Sequence, residues 1–214
     1  MRVFVVLSCL LVLACEAQKP HPCRTPPLMT GDFTVSTQNE KLQEFAKYIY
    51  DGLGQRIRLL QMGTYDNKTF TYDVLLLFKQ GVMFEIDDKA QTCQKKPLQG
   101  SFVPWQIPQN ASFVAQSVLG TSSQPGAGLL INSWYGTDSK SGVKYFSTVT
   151  EYACVPVSSA IHIDKFGWIL ITFFNNVIGI TDPQKLNPPA FCPKSNTHLK
   201  EEPVDLITLL MNKR

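Results

Sequence analysis

The amino-acid sequence predicts an all-β protein with two stacked antiparallel sheets that form a sandwich or a half-open barrel. Short apolar or alternating segments recur along the chain, and turns rich in glycine, proline and asparagine separate them. A strong β-hairpin pattern lies near the centre. The 214 residues are 44% hydrophobic and 17% charged, which is typical of a folded domain rather than of a disordered chain or a coiled coil.

The central hairpin comprises two apolar runs, 74–78 and 82–86. Gly81 lies between them and can adopt the positive φ that a tight turn requires. The first run is apolar on both faces, which predicts a strand covered on both sides. The second run predicts a half-buried strand, because one of its faces is less apolar. That face is formed by Met83, Glu85 and Asp87.

Two weaker strands precede this hairpin. Residues 19–31 contain several prolines and Gly31, which predicts an irregular loop held in place by Cys23. Alternating patterns then predict strands over 45–50 and 55–62. Together with the hairpin they give a meander of four strands up to about residue 90.

The second half begins with a long connection. Prolines interrupt residues 97–125, and a connection of this length is usually functional or packed as a lid. The strands predicted after it cover residues 128–135, 143–154, 155–164, 168–174 and 177–180. Asn175 and Asn176 are predicted to form the turn between the last two. A proline-rich loop with Cys192 follows, and an apolar face over 201–211 predicts a short C-terminal helix.

The first 17 residues are predicted to be a signal peptide. Arg2 precedes an apolar run, and small residues end the segment at Ala17. This run is too short to span a bilayer comfortably and no later stretch is long enough, so the chain is not predicted to span a membrane. Residues 18–214 are expected to form a single domain in an oxidising compartment.

The cysteines outside the signal segment form an even set, Cys23, Cys93, Cys154 and Cys192. In a secreted protein such a set predicts two disulfides, with three possible connectivities. A zinc site is disfavoured because the set contains no CxxC pair. The formal net charge is +3 and the basic residues are scattered, which argues against dedicated nucleic-acid binding.

Several strings in this order resemble the ependymin family: PCRTPPLMTG, YDGLGQRIRLL, DVLLLFKQGVMFEID, PWQIPQNASF and PPAFC. The resemblance implies a secreted or lysosomal glycoprotein without known catalysis, whose two stacked sheets surround a deep apolar pocket. It also implies a homodimer, calcium binding and a role in cell-matrix adhesion. Following the family, Cys23 pairs with Cys154 and Cys93 with Cys192.

The residues themselves favour no enzyme. The chain lacks GxSxG, HExxH, a P-loop and GxGxxG, although a catalytic triad need not be contiguous in sequence. No cofactor is expected other than calcium, which binds oxygen ligands. The candidate ligands Glu85, Asp87 and Asp88 follow the hairpin, but they lack EF-hand spacing and a solvated strand end is the simpler interpretation.

Two functions follow from these observations. The first is the binding of a fatty acid, a lipid or another hydrophobic small molecule in an apolar pocket. The runs 74–78 and 168–174 are apolar on both faces, and the connection 97–125 and the C-terminal helix are the available covers. An incomplete cover leaves a cavity, whereas a packed core or a dimer interface are the alternatives. The proposed pocket residues are Phe78, Phe84, Trp105, Trp134, Phe146 and Phe173.

The second function is that of a calcium-binding extracellular glycoprotein that acts in cell-matrix adhesion. Two acceptor sequons, Asn67-Lys68-Thr69 and Asn110-Ala111-Ser112, lie in predicted polar loops. Asn67 and Asn110 are therefore predicted to carry glycans. Mass spectrometry of extracted lipids would separate the two functions.

Overall fold

The computed structural model describes residues 20–139, 141–164 and 166–194. Within these ranges eleven β-strands and two short 3-10 helices, Phe78–Gln80 and Pro183–Leu186, form the regular structure. The strands are β1 (Leu28–Thr37), β2 (Leu42–Asp51), β3 (Arg56–Tyr65), β4 (Lys68–Leu77), β5 (Val82–Asp87), β6 (Thr92–Pro97), β7 (Ser112–Gly120), β8 (Gly128–Thr137), β9 (Lys144–Thr150), β10 (Pro156–Ile163) and β11 (Gly167–Ile178).

All eleven strands belong to one antiparallel sheet, in the order β6-β5-β4-β3-β2-β1-β11-β10-β9-β8-β7. Two meanders, β1–β6 and β7–β11, are therefore joined where the first strand pairs with the last. The predicted all-β, antiparallel, sandwich-like class is confirmed, with the two layers connected by hydrogen bonds rather than separate. Among the described residues, no helix has the length and hydrophobicity needed to cross a bilayer.

The central hairpin is formed as predicted by β4 and β5. Gly81 ends the 3-10 turn between them with a φ of 62°, in the left-handed region that favours glycine. Val74 and Leu76 are buried on one face of β4, whereas Leu75 and Leu77 are buried on the other. The prediction of a half-buried β5 was wrong in one respect, because Met83 is fully buried.

Strand β1 occupies residues that were partly assigned to the N-terminal loop. Gly31 is not a turn residue there, since it lies within β1 opposite Tyr48 of β2. A Cβ atom at this position would lie 2.7 Å from Asn176 Oδ1 and 2.9 Å from Tyr48 Cε1. Glycine is required because two side chains close over the strand, a constraint that local sequence does not reveal.

Other boundaries also differ from the prediction. Strand β7 forms inside the connection that was predicted to be irregular throughout. Strand β9 ends at Thr150, and Tyr152 lies in the turn that follows. Asn175 and Asn176 form no turn between strands, since β11 runs through them with a register shift against β1 and a φ of 50° at Asn175. The predicted signal peptide and C-terminal helix lie outside the described residues.

The two faces of the first meander have different covers. The inner face, which includes Tyr48 and Leu76, is covered by part of the predicted lid, including Leu98 and Trp105. The outer face, which includes Leu75 and Phe84, packs against the segment after β11 through buried Leu186 and Cys192. The cover of this outer face is therefore the proline-rich C-terminal loop.

Two disulfides fasten these covers to the sheet. Cys23 is bonded to Cys154, which joins the N-terminal segment to the turn after β9. Cys93 is bonded to Cys192, which joins β6 to the C-terminal loop. These are the pairs that the family resemblance implied.

Candidate functional site

Aromatic side chains from several elements meet on the inner face, and we call this group the aromatic cluster. Alternation along β2 directs Tyr48 and Tyr50 inward, and Phe173 extends from β11 towards them. Trp105 stacks on Tyr50 with ring centroids 4.4 Å apart and meets Tyr48 edge-on at 5.1 Å. The members are Phe33, Tyr48, Tyr50, Phe78, Phe102, Trp105 and Phe173.

The lid over this cluster is held by backbone and side-chain hydrogen bonds. The hydroxyl of Thr25 donates to the carbonyl of Trp105 at 2.8 Å, and the Ile107 N–H donates to the carbonyl of Cys23 at 2.9 Å. The Trp105 N–H donates to the Tyr50 hydroxyl at 3.1 Å. The N-terminal segment and the lid thus lie side by side, and the Cys23–Cys154 disulfide anchors both to the second meander.

Burial changes the acid–base properties of the cluster. Loss of solvent raises the pKa of Tyr48 well above its ordinary value, and the nearby Asp32 carboxylate raises it further. Burial also raises the pKa of Tyr50, although its hydrogen bond with Trp105 partly opposes the shift. Both hydroxyls therefore remain neutral hydrogen-bonding groups in an apolar environment.

An open cleft begins where the cluster ends. Its volume is about 380 Å³, and Phe173 lines it while also packing in the aromatic cluster. None of the described residues that line the cleft carries a formal charge. Its apolar walls are formed by Leu119, Leu129, Val155, Val157, Phe173 and Phe174.

The six predicted pocket residues are distributed among different environments. Phe78, Trp105 and Phe173 pack together on the inner face. Phe84 is buried on the outer face of β5, and Trp134 is buried in a third group beside Phe113. Phe146 is 37% exposed and does not line the cleft.

Sequence reasoning missed several members of the cluster. Tyr48 and Tyr50 could have been found from the alternation of β2, because they share a face with buried Leu42 and Ala46. Phe102 carried no comparable signal, since it lies in an irregular segment whose position depends on the whole fold. The cleft residues Leu119 and Leu129 come from β7 and β8, and β7 was not predicted as a strand.

The three candidate calcium ligands each contact other groups. Glu85 forms an ion pair with Lys96, with Nζ and Oε2 3.1 Å apart. At the following turn, the Asp87 carboxylate accepts hydrogen bonds from the backbone N–H groups of Lys89 and Ala90. Asp88 is exposed and lies 3.9 Å from the Arg58 guanidinium. Across the described ranges, no group of three or more His, Cys, Asp or Glu side chains has a metal-binding arrangement.

The fold and the site define an antiparallel β-protein of the disulfide-stapled, sandwich-like class, with an aromatic inner face. A family model described as Ependymin matches residues 66–192. Ependymin-2 of Carassius auratus is 32% identical over 189 residues, which cover 88% of this chain and 87% of that protein. Mammalian ependymin-related protein 1 of Mus musculus is 31% identical over 198 residues, covering 88% and 84%.

The chain therefore belongs to the ependymin family. Among solved structures, an uncharacterized conserved protein from Thermus thermophilus is similar with a TM-score of 0.43 and 9% sequence identity. That alignment covers 89% of this chain and 93% of the other.

Proposed function

We propose that this protein is a secreted, non-catalytic glycoprotein that binds an apolar small molecule, such as a fatty acid or a lipid, in the cleft beside the aromatic cluster. The observation that carries the proposal is that Phe173 belongs both to the aromatic cluster and to the wall of the cleft. This ring contacts Trp105 at 5.5 Å and Phe33 at 5.9 Å on the inner face, and it also forms part of the cleft wall.

The chemistry of the cleft supports a ligand with a neutral apolar body. Apolar sites with few polar groups are the usual form of small-molecule pockets in proteins. Because the cleft is open, the polar end of an amphiphile stays in water while its chain lies against Phe173. The polar side chains that line the cleft belong to Thr150, Tyr152, Asn175 and Asn176.

Uptake of a fluorescent fatty acid tests this proposal. The wild type is expected to show saturable binding that unlabelled lipid competes away. Leu129→Glu places a carboxylate on an exposed cleft wall, so we expect it to abolish uptake while the fold survives. Phe173→Glu should do the same, although it also perturbs the cluster.

Leu60→Glu provides the matched control, because it introduces the same charge at a similarly exposed leucine outside the cleft. Its binding should equal that of the wild type. Absence of saturable binding by folded wild-type protein, across several lipid classes, would contradict the proposal. The calcium-dependent adhesion hypothesis stays a prediction, and isothermal titration with Ca²⁺ tests it directly.

The homodimer is the second part of the proposal, and a row of exposed side chains supports it. Direct pairing across β8, β9, β10 and β11 aligns Tyr135, Phe146, Ala160 and Leu170 on the outer face. The three larger members of the row are exposed. Contiguous apolar surface of this kind is typical of protein interfaces.

Light scattering after size-exclusion chromatography tests this interface. Leu170→Glu should shift the wild-type dimer to monomer, because it places a charge at the β11 end of the apolar row. Leu60→Glu, on the outer face of β3, changes an equally exposed leucine away from the row and should leave the mass unchanged. A monomeric wild type would contradict this part of the proposal.

A further inference from the structure

The two edges of the sheet are protected very differently. Strand β6 forms one edge and β7 the other. An unpaired edge exposes backbone N–H and C=O groups that can pair with another chain, and natural proteins oppose this with lysines, prolines, bulges and covers. Strand β6 has such devices, because it contains Lys95, Lys96 and Pro97 and its Cys93 is bonded to the C-terminal loop.

Strand β7 lacks most of these devices. Its nine residues, SFVAQSVLG, contain no charged side chain and no proline. Val114, Val118 and Leu119 are 52%, 43% and 50% exposed. A register shift between Phe113 and Ala115 supplies one bulge, but the five residues from 115 to 119 continue in regular register with β8. An uncharged exposed strand of this length is a template for pairing between copies.

A glycosylation sequon begins immediately before this edge. Asn110 is exposed in a turn that is closed by a 3.0 Å hydrogen bond from the Ala111 N–H to the Pro108 carbonyl. Ser112, the third residue of the sequon, is the first residue of β7. The other sequon begins at Asn67, in the turn between β3 and β4. Strand β3 is paired on both sides, and β4 pairs with β5 over Asp73–Leu77, so its free part is only residues 68–72, which begin with Lys68.

We propose that the glycan on Asn110 protects the β7 edge by preventing its pairing with β7 of a second copy. Strands in a sheet approach to about 4.8 Å, and a bulky hydrophilic glycan beside the first residue of β7 is incompatible with that approach. The glycan thus supplies at β7 what the lysines and proline supply at β6. This inference rests on the secreted glycoprotein of the proposed function.

The test compares Asn110→Gln with Asn67→Gln, which removes a glycan of the same kind from a turn distant from β7 in the sheet. Intact mass first establishes that both sites are occupied in secreted wild-type protein. Light scattering over a range of concentrations should then show a shift of Asn110→Gln to species larger than the wild type. Asn67→Gln should behave as the wild type does.

A rescue variant identifies the surface responsible. Val118→Lys places a charge on the exposed edge, so the double variant Asn110→Gln/Val118→Lys should return to the wild-type mass. If Asn110→Gln is not secreted, folded Asn67→Gln can be used instead. Of the two sequons it retains only the one at Asn110, so enzymatic trimming of its glycan to a single sugar removes most of the bulk beside β7. Light scattering before and after trimming then gives the same comparison.

Three results would overturn the inference. They are an unoccupied Asn110, equal behaviour of the two glutamine variants, and association of Asn110→Gln that Val118→Lys does not reverse. Lipid uptake, measured separately on the non-associated fraction of each variant, reports on the proposed function. A protein that associates through β7 yet binds no lipid would therefore retain this inference and reject the binding function.

Discussion

The hydroxyl of Tyr48 donates a 2.6 Å hydrogen bond to Oδ1 of Asn176, which ties β2 to β11 across the intervening strand β1. The bond passes over Gly31, where no side chain intervenes. Asn176 also donates through Nδ2 to the carbonyl of Pro156 at 3.0 Å. One asparagine therefore links the two meanders beside the cleft.

Removal of this hydroxyl should destabilise the protein. Tyr48→Phe leaves Asn176 Oδ1 without its donor in a partly buried position, so we expect a loss of about 1–3 kcal/mol in the free energy of unfolding. Urea denaturation measures it. Tyr152→Phe removes a hydroxyl from a side chain that is 80% exposed and should change stability by less than about 0.5 kcal/mol. Equal effects of the two substitutions would contradict the prediction.

Stability should fall at alkaline pH. The pKa of Tyr48 is raised by burial and by Asp32, whereas a tyrosine in the unfolded chain ionises near about 10. Below that pH both states are protonated and the stabilisation is complete. Above it the unfolded state loses its proton first, so the free energy of unfolding decreases as pH rises.

Thermal melts between about pH 8 and pH 11 measure this decline. Tyr48→Phe should show a shallower decline than the wild type. Some decline should persist, because burial also raises the pKa of Tyr50 and Tyr145. An unchanged slope in Tyr48→Phe would show that other groups control the alkaline response.

Arg58 should be a major contributor to stability on the outer face. Its guanidinium donates to both Asp73 oxygens, at 2.9 and 2.6 Å, and to the carbonyl of Lys185 at 2.9 Å. The Arg58 side chain is only 10% exposed and the Asp73 side chain 14%. Arg58→Ala leaves the Asp73 carboxylate without its cation, and we expect a loss of about 3–5 kcal/mol in urea denaturation.

Arg58→Lys is the matched control, since it keeps the charge but loses the two-pronged geometry. It should fall between the wild type and Arg58→Ala. Hydrogen exchange around Lys185 should increase in the alanine variant, because the bond that holds the covering segment is lost. Equal stability of the wild type and both variants would contradict the predicted contribution of Arg58.

The two disulfides should contribute similarly to stability but differently to binding. Their cysteines are 131 and 99 residues apart, and the chain-entropy model gives roughly 4–5 kcal/mol for loops of this size. Replacing Cys23 and Cys154 by serine should also weaken lipid uptake, because this bridge anchors the lid. The Cys93/Cys192 double variant should retain uptake under conditions in which it stays folded, and a greater loss of uptake there would contradict the prediction.

The sequence was sufficient for elements whose signals are local. Gly81 and the apolar runs on either side of it specify the β4–β5 hairpin by themselves. Gly31 and Asn176 show the opposite situation, because both residue types usually indicate turns. Here Gly31 provides space for Tyr48, and Asn176 is a partner of the same side chain. Their roles depend on strands that are distant in sequence.

The candidate site was predicted only in part for the same reason. Trp105 and Phe173 are large apolar residues in segments that must be covered, so composition and pattern could suggest them. Phe84 and Trp134 have the same composition signal but lie in other packing groups. Assigning an aromatic residue to one group or another requires the sheet order, and that order follows from the pairing of β1 with β11.

The pairing of β1 with β11 has a consequence for folding during synthesis. Strand β1 is the first of the described strands to leave the ribosome, and its partner β11 is the last of them. Until β11 emerges, one side of β1 has no partner strand. Vectorial synthesis therefore delays completion of the sheet until β11 has emerged from the ribosome.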